Sequence, residues 1–143
     1  MPFFRRRKER DDSDLLKTLE QVLEAEKESV AHHERLERRL VSPWMKERLR
    51  RLAQEDREHI SIVAEKIRAL GGNPTLDISH QPPYGSLVED LIKDWEDERN
   101  LYERLREEMA LLPEGEIKQL LAKIREEERS HVELLRDLIT RYD

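Results

Sequence analysis

No cysteine occurs in the 143 residues, which excludes disulfides, thiolate zinc sites and iron–sulfur centres. Glycine is scarce, with 4 residues, and aromatic side chains make up only 5%. With few β-branched residues as well, the composition disfavours sheet and favours helix. No apolar run approaches the length of a membrane span, and no signal peptide is visible. The expectation is a soluble, cytoplasmic chain with no membrane partner. A net charge of −6 argues against general nucleic-acid binding.

What the chain has instead is charge laid out at helical period. Charged residues account for 42% and hydrophobic ones for 36%, with a mean hydropathy of −0.90. Without periodicity such a composition would suggest disorder. Here leucines recur at three- and four-residue steps, and the length suits one domain with a real core. Residues 1–12 read as a basic tail, in which Phe3, Phe4 and Arg5 to Lys8 can touch an acidic surface or remain solvated. The bundle itself is expected over 13–143.

Four helices follow. Ser13 can cap the first, whose apolar row runs from Leu15 to Leu40 and which should end near Val41. Ser42-Pro43 is a cap followed by proline at the first helical position, and Gly71-Gly72-Asn73-Pro74 stops the second helix. Residues 75–85 lack helical phase and form the one long connection. Ser86-Leu87-Val88-Glu89 is a capping box that opens the third helix. Pro113-Glu114-Gly115 precedes the fourth, from about Glu116 to the end. The fold class is therefore all-α: an antiparallel four-helix bundle of two hairpins joined by a crossover.

Each apolar row is interrupted near its middle by acid or imidazole. Glu26 lies in the first row, Asp56 and His59 in the second, Glu98 in the third, and Glu128 and His131 in the fourth. Glu26 to Asp56 and Glu98 to Glu128 both span 30 residues, and Glu26 to His59 and Glu98 to His131 both span 33. The halves thus superpose at an offset of 72, which also pairs Leu19 with Leu91, Leu49 with Leu121 and Val63 with Leu135. A single Glu-x-x-His arises easily as a surface ion pair. Four in-phase positions with repeated spacing point instead to four carboxylates and two imidazoles at one level of the core, a set suited to two divalent ions. His33, two turns after Glu26, can be an extra ligand, a partner to one, or a half-buried histidine bonded to a neighbour. Tyr102 can hydrogen-bond a ligand, carry a redox equivalent or simply pack. Trp95 reads as core, and His32 and His80 as surface.

On Glu26, Asp56-x-x-His59, Glu98, Glu128-x-x-His131 and Leu70-Gly71-Gly72-Asn73-Pro74, the chain resembles the ferritin-like superfamily, especially its rubrerythrin and bacterioferritin branch, over about residues 13–142. The resemblance implies a di-iron or di-manganese carboxylate centre that reacts with dioxygen or hydrogen peroxide. In it Glu26 and Glu98 are terminal ligands, Asp56 and Glu128 bridge, and His59 and His131 each cap one metal. Three features depart from the family. Asp56 stands where the family has Glu, with Glu55 and Glu58 as possible substitutes. There is no rubredoxin module. Arg57 replaces the methionine that helps hold haem, so no haem is expected. The alternatives are an iron storage or detoxification oligomer and a metal-free bundle that binds a partner through charged faces. As the chain ends at Asp143 without a fifth helix, a small homo-oligomer is expected.

Overall fold

The structure is a computed structural model that describes residues 11–142. The basic tail falls almost wholly outside the described residues. The described residues form four helices: α1 (Asp12–Arg39), α2 (Pro43–Ala69), α3 (Leu87–Met109) and α4 (Glu116–Thr140).

Their ends follow local chemistry. The cap of α1 is Asp11, whose carboxylate accepts from the Asp14 amide at 3.0 Å, two residues before the expected Ser13. An acceptor there satisfies one of the free first-turn amides. The helix stops at Arg39 because Leu40 turns extended (ψ 147°) and buries its side chain, which throws Val41 into solvent. Ser42 caps α2 ahead of Pro43. At the far end Gly71 adopts φ +89°, and the amides of Gly71 and Gly72 close on the carbonyls of Arg68 and Ile67 at 3.0 and 2.9 Å. That is a Schellman termination, for which glycine is the residue without a steric penalty. At α3 both bonds of the Ser86–Glu89 capping box are present.

Interhelical pairs fix the directions. His32, His33 and Thr18 on α1 meet Asp90, Asp94 and Glu108 on α3, so α1 and α3 are antiparallel. Glu55, His59 and Lys66 on α2 meet His131, Glu127 and Glu116 on α4, again antiparallel. With α1 antiparallel to α2, α2 and α3 must run the same way, and the link between them has to traverse the bundle. It does so alongside α1: Lys27 Nζ donates to the Thr75 carbonyl at 2.8 Å, and Arg39 donates to that of Gly85 at 2.9 Å.

The apolar core is split in two. One cluster gathers Leu19, Leu23, Val30, Val63, Ile67, Leu105 and Leu121 among others; the second gathers Leu36, Leu49, Leu52, Leu91, Leu135 and Leu138. Between them lies a level that is polar and buried.

Candidate metal centre

Helical period places the polar level. Glu26, Asp56, Glu98 and Glu128 are 0% exposed, His59 3% and His131 1%. Each lies one or two turns from buried leucines, isoleucines or valines on its own helix, so the apolar stripe that drives packing carries these residues inward with it. All six sequence-derived positions converge.

The geometry distinguishes two roles among the acids. Glu26 Oε1 is 3.4 Å from His59 Nδ1, and Glu98 Oε2 is 3.7 Å from His131 Nδ1. Asp56 Oδ1 is 3.5 Å from both of those ring nitrogens. Glu128 meets His59 with Oε1 and His131 with Oε2, each at 3.5 Å. Two acids therefore flank one ring each, and two stand between the rings. The rings of His59 and His131 stack 6.4 Å apart. Two donor groups emerge whose ligand atoms lie within 4.8 Å of one another: Glu26, Asp56, His59 and Glu128, and His33, Asp56, Glu98 and His131.

Asp56, despite its shorter side chain, is the α2 carboxylate that reaches the cage. Glu58 is exposed, and Glu55 sits outside it, accepting from His131 Nε2 at 2.6 Å. Glu127 pairs with His59 Nε2 in the same way. Glu55 and Glu127 are themselves 72 residues apart, so the outer layer repeats as the inner one does. Both rings thus turn Nδ1 inward and Nε2 toward an outer carboxylate, the arrangement that fixes ring orientation in metal-ligating histidines.

Inside the cage the acids meet only imidazoles, at 2.9 to 3.7 Å. Both carboxylate oxygens of Glu26, Asp56, Glu98 and Glu128, together with Nδ1 of His59 and His131 and Nε2 of His33, are buried without a hydrogen-bond partner. No lysine or arginine among the described residues pairs with these acids. Charge is redistributed by protons. Burial, and then the neighbouring Glu128 and Asp56, push the Glu26 carboxyl well above its ordinary range. Burial opposes the ionised form of Glu128, yet the His131 and His59 rings outweigh it and hold that carboxyl low. Burial likewise opposes charge on the histidines and loses to the carboxylates. His33, beside Asp94 and Asp56, is raised to about 10, and His59 and His131 are also raised. Such a cage fits cations: its oxygen and imidazole donors face one another, and an entering cation has only protons to displace.

Three expectations need adjustment. His32 is not a surface residue. It is 6% exposed, and its Nε2 lies 2.7 Å from Asp90 Oδ1. Asp90 also accepts from Arg35 at 2.7 Å and Arg39 at 2.8 Å, so a buried polar knot fastens α1 to α3. Tyr102 does not hydrogen-bond a cage carboxylate; its ring lies 4.0 Å beneath the Arg125 guanidinium. His33 is wholly buried rather than half-buried, and enters the cage. Sequence reasoning passed over Asp90 and Asp94, although Asp90, Asp94 and Glu98 step along one face of α3 at four-residue intervals. His80 is exposed, and Trp95 packs against the second core cluster.

A family model described as the ferritin-like domain matches residues 43–143, which hold α2, α3 and α4. No curated protein matches the chain.

Proposed function

We propose, on the premise that the chain belongs to the ferritin-like family, that its cage holds two divalent ions of the iron or manganese type and serves a ferroxidase or peroxidase activity. The observation that carries this reading is a set of four buried carboxylates at one level, none of whose eight oxygens has a hydrogen-bond partner and which face only three imidazoles. A buried carboxylate without a donor costs several kcal/mol, and four together are tolerable in a folded chain when cations share them. Mixed oxygen and imidazole donors suit iron and manganese.

Glu26 and Glu98, each beside one ring, fit terminal ligands. Asp56 and Glu128, between the rings, fit shared ones. When bound, a pair of such ions supplies the two electrons that reduce dioxygen or peroxide. The chain's part is to keep the donors fixed and the site dry. Glu127 and Glu55 hold the two rings from outside, and the apolar clusters on either side keep bulk water away. Donors held in place before ions arrive lower the cost of assembling the site.

Anaerobic loading with Fe(II) followed by oxygen or peroxide tests the reading. The wild-type chain should show the absorbance of a ferric product, and Glu128→Ala should not. Full oxidation by Glu128→Ala at full occupancy refutes the site.

A further inference from the structure

Among the residues that reach or directly support the cage, the internal repeat fails at one place. At the offset of 72, Glu26 answers to Glu98, Asp56 to Glu128, His59 to His131 and Glu55 to Glu127. His33, however, answers to Leu105, and Asp94 to Val22. The α1–α3 pairing of His33 with Asp94 is polar and bonded, where the repeat-related pairing of Leu105 with Val22 is aliphatic and part of the core. Packing alone does not call for the polar pair, since Leu and Val fill the corresponding space.

We infer that His33 is a seventh donor, given to only one of the two metal positions, the one built from Glu98 and His131, and that the two positions therefore differ in affinity. This rests on the di-metal reading above.

His33 is 0% exposed, and its Nε2 has no hydrogen-bond partner. That nitrogen lies 2.9 Å from Asp56 Oδ2 and 3.2 Å from Glu98 Oε1. Neighbouring donors around an octahedral ion with bonds of about 2.1 Å are separated by roughly 3 Å, so the spacing is that of ligands sharing an ion. The ring stands edge-on to His131 at 6.1 Å, leaving the two nitrogens free to converge. Asp94 Oδ2 holds His33 Nδ1 at 2.5 Å from behind. An acceptor there keeps the hydrogen on Nδ1, so that a cation entering the cage displaces the Nε2 proton and meets that nitrogen. This is the orientation of His59 and His131 inverted, with Nε2 inward and Nδ1 outward. Asp56 leaves room for this ring. It is one methylene shorter than its mate Glu128, and His33 Nε2 approaches the cage beside it.

The donor sets then divide unequally. The position of Glu26 and His59 has one nitrogen, and that of Glu98, His131 and His33 has two. Nitrogen donors favour the later divalent metals over manganese, so the second position fills first and discriminates more strongly for iron or cobalt.

Titration of the metal-free full chain with Co(II), followed by absorbance and by proton NMR of the loaded protein, tests the assignment. Two binding steps should separate by about tenfold or more, and imidazole N–H signals shifted by the metal should come from three rings: His33, His59 and His131. In His33→Leu and in His33→Leu/Asp94→Val, the second of which gives this α1–α3 pairing the aliphatic residues of its repeat mate, the steps should merge and two rings should remain. Two ions bound with only two shifted rings in the wild type, or steps unchanged in the variants, overturns the assignment of His33 alone. A chain that takes up no Co(II) overturns the di-metal reading as well. Should the variants fail to fold, the count of shifted rings in the wild type decides.

Discussion

His59 and His131, 72 residues apart in the chain, stack with ring centroids 6.4 Å apart and planes 23° from parallel. Each is held from outside by a carboxylate of the opposite hairpin: His59 by Glu127 on α4, and His131 by Glu55 on α2. The two hairpins thus clasp each other through their ligand-bearing helices, and each outer bond fixes which nitrogen faces the cage.

That reciprocity makes a quantitative prediction. Glu55→Gln and Glu127→Gln should each lower metal affinity by about 10- to 100-fold, the usual effect of losing an outer carboxylate behind a histidine ligand. The two losses should be of similar size, because the positions are equivalent in the repeat. Competition against a chelator of known affinity measures both.

Stability of the metal-free chain should fall as pH rises. His33 is raised from its ordinary value of about 6.5 to about 10, and His59 and His131 are raised as well. A group whose folded pKa is raised contributes stability that is complete below its unfolded value and is lost as pH climbs through the folded one. With chelator present, melting should therefore drop between about pH 6.5 and 10. Metal loading at neutral pH should expel several protons, which pH-stat titration reads directly, and the loaded protein should not share the drop.

The same acids should limit stability. Replacing a buried ionic set by apolar residues of similar volume is often neutral or stabilising by about 1–4 kcal/mol. Glu26→Leu/Glu98→Leu should accordingly raise the denaturation midpoint of the metal-free chain while abolishing metal uptake. A lower midpoint would mean that the acids stabilise the bundle without metal.

Asp90 has the opposite character. It accepts from Arg35, Arg39 and His32. Although burial opposes its charge, these partners hold its carboxyl at about 2. Its contribution is present above the ordinary carboxylate range of about 4 and is lost as pH falls toward 2. Asp90→Ala leaves Arg35 buried and unpaired, and should cost about 3 kcal/mol of stability in urea denaturation, with metal stoichiometry unchanged.

Much of this was legible in the sequence because two periodicities coincide. The helical period told which acids face inward, and the offset of 72 told that they do so twice. Termini with a strong chemical mark, Ser42-Pro43, Gly71-Gly72 and Ser86 to Glu89, were readable to the residue. What escaped lies on α1 and on the face of α3 that meets it. Ser29, Val30, Ala31, His32 and His33 are all buried, and five consecutive residues cannot lie on one helical stripe. They are covered because α2, α3 and the crossing link all pack around α1, and no pattern within the helix encodes a link that arrives from residues 75–85. His32 therefore read as surface, and the Asp94 behind His33 had no counterpart in the other half to reveal it.

The central claim is that the buried acids exist to share cations. Anaerobic titration of the metal-free chain with Fe(II), with bound and free metal measured after rapid filtration, tests it most directly. Saturation is expected at about two ions per chain, with melting raised on loading. A chain that binds fewer than about one ion per several molecules, with melting unmoved by Fe(II) or chelator, would contradict it.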